Sequence, residues 1–156
     1  MKNVKELEKQ ILTKEDLIFY LEELKTLENL SFQSPEIPLK EKAKGKVSEK
    51  ILNFIENLEK EGKLPKGPER EKEFFKELRT QLSSLYQIRI KIAFEPKRDF
   101  LKKLSLFFEQ KLQKKVILDV RIDPEIMGGI IFELEGKIFD FSIGKKIEKL
   151  ISKYSS

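Results

Sequence analysis

The spacing of apolar residues predicts helices over the first half of the chain. In three segments, at residues 17–30, 51–58 and 74–82, apolar residues recur every three or four positions, which places them on one side of a helix. Ser48 stands where an N-cap belongs before the second segment, and Gly62 stands where its C-terminal cap belongs. The pattern predicts an all-α helical bundle to about residue 82. The apolar stripes of its second and third segments are Ile51, Phe54, Ile55 and Leu58, followed by Phe74, Phe75, Leu78 and Leu82.

The apolar period changes from 3.6 to 2 after residues 83–84. Residues 88, 90, 92 and 94 are apolar and alternate with polar ones, which predicts a half-buried strand at 86–94. A helix ending near residue 113 should follow, with Pro96 as its first residue. Three shorter strands and a final amphipathic helix complete the pattern. The predicted fold class is α+β: a helical bundle at residues 1–82, then a small α/β domain at residues 83–156 ordered strand, helix, three strands, helix.

The turns of the second half contain the most distinctive residues of the chain. Asp123-Pro124 precedes Gly128-Gly129, which lies just before a predicted strand. The two glycines indicate either a bend in the backbone or a place where another group approaches it closely, and we favour the bend. Asp140 and Ser142 are predicted to cap the last helix. Lys145 and Lys146, at the start of that helix, could hold an anion, but a solvated basic surface is the preferred interpretation.

The last helix is predicted to need a partner surface. Its apolar stripe consists of Ile143, Ile147, Leu150, Ile151 and Tyr154. Burying five such side chains gains on the order of 10 kcal/mol. Ordering about a dozen residues costs a similar amount. We therefore expect this helix to be stable only when it is docked on its own sheet or on another protein.

The composition excludes several kinds of site. The chain has no Cys and no His, which rules out zinc sites built on those residues, disulfides, and Cys–His or Ser–His–Asp catalysis. Carboxylates remain, but Asp119 and Asp123 are predicted on the outward, polar side of a strand, and we find no acid–base pair in an apolar pocket. We therefore predict no catalytic residue, cofactor or metal ligand.

The positive charge lies in the second half of the chain. Residues 1–82 carry 17 Lys and Arg against 17 Asp and Glu, whereas residues 83–156 carry 15 against 10. A basic half suggests an acidic partner or serves solubility alone, and the sequence leaves both open. No apolar run approaches the roughly 20 residues of a membrane span, and there is no apolar signal core, so we expect a location in the cytosol or on the cytosolic face of another structure.

The order of residues in the second half resembles the delta-subunit family of the F-type ATP synthase, called the oligomycin-sensitivity-conferring protein in mitochondria. In that family a strand ends in a Val/Ile-Asp step, a turn leads to Gly-Gly and another strand, and a basic helix follows a second Gly turn. The matching residues are Asp123, Pro124, Gly128, Gly129, Gly136, Asp140, Ser142, Glu148 and Leu150. Residues 53–64 resemble the family's fifth helix and its following turn. Phe141 replaces a usual Gly, and the family's first helix, with its Tyr-Ala-x-Ala-Leu pattern, has no counterpart.

The resemblance implies a stator subunit that is not an enzyme. In the family, the helical domain sits on the catalytic hexamer and takes an N-terminal segment of an alpha subunit into a groove between its first and fifth helices. The C-terminal domain holds the C-terminal region of the b-subunit stalk. The resemblance thus assigns alpha-subunit binding to the stripe Ile51, Phe54, Ile55 and Leu58, divided between groove and core. It implies a peripheral position on the cytoplasmic face of the cell inner membrane, without nucleic acid.

A second interpretation is a basic α+β module that binds RNA. Residues 97–154 run helix, three strands, helix, which is also the order of double-stranded RNA-binding domains, and lysines at the start of the last helix could contact phosphates. The Asp-Pro and Gly-Gly turns favour the delta-subunit family instead, and Glu148 would lie among the phosphate contacts.

Overall fold

The computed structural model describes residues 2–154, apart from the side chains of Lys2, Asn3, Leu150 and Tyr154. The chain forms two compact units. The helical unit comprises residues up to 11 together with 16–85, and the sheet unit comprises residues 12–15 together with 86 onwards. The α+β fold class is confirmed. The apolar pattern does not predict that residues 12–15 join the second unit.

The first half of the chain is helical, as its apolar spacing predicts. The helices are α1 (Lys2–Glu8), α2 (Lys14–Ser31), α3 (Leu39–Ala43), α4 (Glu49–Lys60) and α5 (Pro68–Ser83). Leucine and isoleucine side chains of α1, α2 and α4 are buried, and so is Phe75 of α5. Phe74, predicted on the buried side of α5, is only half-buried, because it lies at the edge of the stripe that Phe75, Leu78 and Leu82 define.

Helix α4 is fixed at both ends by hydrogen bonds. The Ser48 hydroxyl accepts from the Ile51 amide at 3.4 Å, so Ser48 is the N-cap that the sequence predicts. Glu23 is buried and accepts from both the amide and the hydroxyl of Ser48, at 2.5 and 2.6 Å. At the other end Gly62 adopts φ +64°, and the Lys63 amide donates to the Leu58 carbonyl at 2.8 Å. These hydrogen bonds fix both ends of α4, whose apolar stripe is buried.

The sheet unit contains one mixed sheet. Its elements are β1 (Tyr86–Ile92), α6 (Arg98–Leu112), β2 (Val116–Ile122), a 3₁₀ helix (Pro124–Ile126), β3 (Ile130–Leu134), β4 (Lys137–Asp140) and α7 (Ile143–Tyr154). The strand order is β2-β1-β3-β4, with β1 parallel to β2 and the remaining pairs antiparallel. Helix α6 connects the two parallel strands and packs on one face of the sheet, as a parallel connection requires.

The outer edge of β2 is covered by the chain's own residues 12–15. The Leu118 amide donates to the Leu12 carbonyl at 2.8 Å, and Thr13 pairs in parallel with Leu118. The ammonium of Lys14 lies 3.3 Å from the Asp119 carboxylate. Asp119 is therefore buried, at 7% exposed, and its predicted position on an outward polar surface is wrong. The cause is a distant segment, which local alternation does not reveal.

The segment between β1 and α6 also differs from the prediction. Strand β1 ends at Ile92, because the register pairs Ile92 with the last residue of β2 and the first residue of β3. Phe94 has no neighbouring strand and is 68% exposed instead of continuing the buried face. Helix α6 begins at Arg98 with Lys97 as its N-cap, so the prediction of Pro96 as the first helical residue is wrong.

Candidate partner-binding surfaces

The two adjacent glycines mark a close approach between two parts of the sheet unit. A Cβ at Gly129 would lie well inside van der Waals contact with the Phe141 carbonyl oxygen, and a Cβ at Gly128 would lie 2.7 Å from a methyl of Ile143. The Ile143 amide donates to the Gly128 carbonyl at 3.0 Å. Both interpretations of the pair hold: the backbone bends there, and the β4–α7 connection packs directly against it.

Asp140 and Ser142 form the cap of α7, as the sequence predicts. One Asp140 carboxylate oxygen accepts from the Ser142 amide at 2.9 Å and from the Ser142 hydroxyl at 2.6 Å. The Ser142 hydroxyl accepts from the Lys145 amide at 3.3 Å. The hydrogen bond from the Ser142 hydroxyl is the main cause that lowers the pKa of Asp140 below its ordinary value. Together with the glycine pair, this cap fixes where α7 leaves the sheet.

The Asp123-Pro124 step starts the 3₁₀ helix. The Asp123 carboxylate accepts from the Glu125 amide at 3.2 Å and lies 3.6 Å from the ammonium of Lys91. Pro124 is the first residue of that helix, where its missing N–H costs nothing. These residues have structural roles in the turn.

Helix α7 leaves most of its apolar stripe uncovered. It packs on the 3₁₀ helix. Ile143, Ile147 and Ile151 are 46%, 41% and 60% exposed. Glu148 is exposed, and the side chain of Leu150 lies outside the described part of the structure. The described part of the predicted stripe, Ile143, Ile147 and Ile151, is therefore a surface of the sheet unit.

The α4 stripe lies elsewhere. Ile51, Phe54, Ile55 and Leu58 are at most 5% exposed and form part of the core of the helical unit. The structure brings the four together but presents none of them to solvent. The exposed large apolar side chains of the helical unit are Ile18, Phe19, Phe32 and Ile37.

An exposed aromatic surface on the sheet unit went unrecognised in the sequence. Phe132 of β3 stacks on Phe139 and Phe141, with ring centroids 5.1 and 6.0 Å apart, and meets Phe108 of α6 edge-on at 5.0 Å. Phe139 and Phe141 are 37% and 55% exposed. The available signal was the alternation of Phe139 in β4 and Phe141 just after it, which indicates a shared face but not whether a helix covers it.

Several of the described carboxylates take part in ion pairs. Within residues 2–154, no group of three or more carboxylates is arranged to hold a metal ion. Over the same residues, no helix is both long enough and apolar enough to cross a membrane.

Comparison with known proteins agrees with this architecture. The family model of the ATP synthase delta (OSCP) subunit matches residues 2–153. The chain is 32% identical over 98 residues to ATP synthase subunit delta of Hamiltonella defensa, covering 63% of this chain and 55% of that relative. It is 30% identical over 104 residues to ATP synthase subunit delta of Photorhabdus laumondii, covering 67% and 58%.

The matched segments thus span little more than half the length of these curated relatives. The comparisons support the resemblance described above and give no support to the RNA-binding interpretation. With a family match that runs through both the helical and the sheet unit, the chain belongs to the ATP synthase delta (OSCP) subunit family.

Proposed function

We propose that this chain is a peripheral-stalk subunit of an F1Fo ATP synthase. It links the catalytic hexamer of alpha and beta subunits to the membrane-anchored b subunit, so that rotor torque is resisted and proton flow is coupled to ATP synthesis. The observation that carries the proposal is the family match over residues 2–153, which includes both units.

The division of labour follows the two units. The helical unit binds N-terminal segments of the alpha subunit, and the sheet unit binds the C-terminal region of the b subunit. Because Ile51, Phe54, Ile55 and Leu58 are buried, their part in alpha-subunit binding is to support the surface from below. Ile18 and Phe19 of α2 supply exposed apolar area in the same unit. The exposed stripe of α7 supplies such area in the sheet unit. Helix-in-groove recognition needs an apolar stripe of this kind.

The proposed subunit does no chemistry of its own. It works by binding two partners at once, as a peripheral component on the cytoplasmic face of the cell inner membrane, and it needs neither a cofactor nor nucleic acid. Its basic sheet unit is suited to a partner with excess carboxylates.

A pull-down tests the proposal directly. The tagged chain is recovered from detergent-solubilised membranes of its source, and its partners are identified and quantified by mass spectrometry. Alpha, beta and b subunits in matching stoichiometry are the expected result. Recovery of RNA-bound proteins that disappear after nuclease treatment would overturn the proposal and favour the RNA-binding module.

A further inference from the structure

One face of the sheet is only half covered by helix. Helix α6 lies over β1 and β2, where Ile88, Ile90, Val116 and Leu118 are fully buried. On the same face, the register places Ile130 and Phe132 of β3 beside Ile92 and Ile90, and Phe139 of β4 beside Phe132. These residues of β3 and β4 remain partly or largely exposed. The space beside α6 has the position that a second covering helix would take on a four-stranded sheet.

The wall of this space is one flank of α6. Phe100, Leu104, Phe107 and Lys111 follow the spacing i, i+4, i+7, i+11 and therefore share that flank. Phe100 and Ile130 line the same cleft of about 600 Å³, together with Phe94. Phe100 and Phe107 are 46% and 49% exposed. We call this surface the aromatic trough; its members are Phe94, Phe100, Phe107, Ile130, Phe132, Phe139 and Phe141. Contiguous exposed apolar surface of this kind marks an interaction site.

The charges around the trough select the partner. Residues 100–115 contain five Lys and a single Glu, although Lys102 lies on the flank of α6 away from the trough. That Glu109 is paired with Lys115 at 2.8 Å. The ammonium of Lys111 lies 6.0 Å from the centre of the Phe107 ring, on the wall itself. Two carboxylates of the sheet, those of Asp119 and Glu133, pair in register with Arg89. They therefore lie on the opposite face of the sheet from the trough. Glu95 and Lys97 both line the cleft and offset one another. The positive charge beside the trough therefore comes from Lys111, and a partner with carboxylates beside its apolar residues fits it.

We propose that the aromatic trough binds one α-helix of a partner protein, with its apolar stripe on Phe100, Phe107 and Phe139 and its flanking carboxylates towards Lys111. This inference rests on the proposed function, in which the C-terminal region of the b subunit supplies the helix. It goes further by assigning the contact to the face of the sheet beside α6. A helix is favoured because the trough runs alongside α6 and offers the apolar area that helix-on-sheet packing buries.

The test measures binding of the soluble C-terminal half of the same synthase's b subunit to the full chain by calorimetry. Phe100→Asp and Phe107→Asp should each weaken binding more than about tenfold, because each places a carboxylate against the partner's apolar stripe and acidic flank. Leu106→Asp is the matched control: Leu106 is also 49% exposed on α6 but lies on the opposite flank, and its substitution should change binding less than about twofold.

Two charge-reversal variants test the same surface without changing its apolar packing. Lys111→Glu should weaken binding and reduce its dependence on salt, whereas Lys102→Glu, on the opposite flank of α6, should do neither. Circular dichroism checks that each variant is folded. If an aspartate variant is unfolded, the comparison of Lys111→Glu with Lys102→Glu tests the trough instead.

The outcomes separate the two proposals. If the b-subunit fragment binds the unaltered chain and all trough variants equally well, the trough assignment is overturned while the stator function stands. If the fragment does not bind the unaltered chain, both fall. Binding of polyuridylate that Phe107→Asp abolishes would overturn the helix and identify the trough as a base-stacking surface.

Discussion

Gly129 shows how a single residue decides the geometry of the sheet unit. It has φ +80°, and no side chain fits between its Cα and the Phe141 carbonyl. Gly136 has a similar φ of +75°, but its surroundings are open to 4 Å. Both positions need a left-handed backbone, but only Gly129 is closely packed. Comparing substitutions at the two positions therefore separates the cost of the backbone conformation from the cost of overpacking.

Replacing Gly129 by Ala should destabilise the sheet unit by about 2–4 kcal/mol, about 1 from the left-handed backbone and the remainder from overpacking. Gly136→Ala should cost only about 1 kcal/mol, the backbone contribution alone. Chemical denaturation of both variants measures the difference. Equal losses would contradict the close approach of Phe141 to Gly129.

The pKa of Glu56 should be visible in the acid stability of the helical unit. Lys40 donates a hydrogen bond to this carboxylate at 2.8 Å, and Lys60 lies 2.7 Å from it. These contacts lower the pKa of Glu56 from 4.5 to about 2. Because the folded pKa is depressed, the stabilisation is present above about pH 4.5 and is lost as the pH falls towards 2.

Glu56→Gln should therefore flatten the loss of stability across that pH range and leave its slope above pH 5 unchanged, as measured by urea denaturation at a series of pH values. Lys40→Gln should flatten it in part, since Lys60 remains. An unchanged slope in Glu56→Gln would mean that other carboxylates govern acid unfolding.

At the scale of the element, α4 and α7 have similar apolar stripes that differ in burial. Helix α4 has an apolar stripe that could serve a core or a groove, and in the structure all of it is core. Helix α7 has an equally regular stripe whose described members, Ile143, Ile147 and Ile151, are exposed. The same periodicity thus produces opposite surroundings, because periodicity specifies a face and not what covers it.

Substitutions in the buried stripe of α4 and on the exposed side of α2 should therefore weaken alpha-subunit binding in different ways. Leu58→Asp, at a position 1% exposed, should unfold the helical unit, with a cost of more than about 4 kcal/mol, and should lose alpha-subunit binding for that reason. Phe19→Asp, at a position 48% exposed, should cost only about 1–2 kcal/mol of stability, leave the unit folded and weaken binding directly. Thermal unfolding together with calorimetry against the alpha-subunit N-terminal segment measures both. A folded Phe19→Asp variant with full affinity would remove α2 from the proposed contact.

At the scale of the whole molecule, two units with separate cores allow one partner to be lost without the other. The core of the sheet unit is built from β1, β2 and α6, and α7 contributes no residue to it among those described. Removing α7 therefore takes away exposed apolar surface rather than core.

Removal of residues 143–156 should accordingly weaken b-subunit binding, because the exposed stripe of α7 is lost while the aromatic trough remains, and the helical unit should stay folded and still bind the alpha subunit. Pull-down with each purified partner measures the two affinities separately. The double variant Ile147→Ser, Ile151→Ser keeps α7 in place and removes only part of its apolar stripe. It should weaken stalk binding to a smaller degree than the truncation does. A truncated chain that held the stalk with unchanged affinity would exclude α7 from the contact.

Local pattern by itself determined the helices, the strands, the caps of α4 and α7 and the class of fold, because hydrogen bonding and apolar periodicity act over a few residues. Residues 12–15 on the edge of β2, and the burial of Asp119 beneath Lys14, were decided by the tertiary structure alone. So were the end of β1 at Ile92 and the exposure of the aromatic trough. Each of these depends on which distant segment lies beside which, and alternation along one strand contains no information about its neighbours.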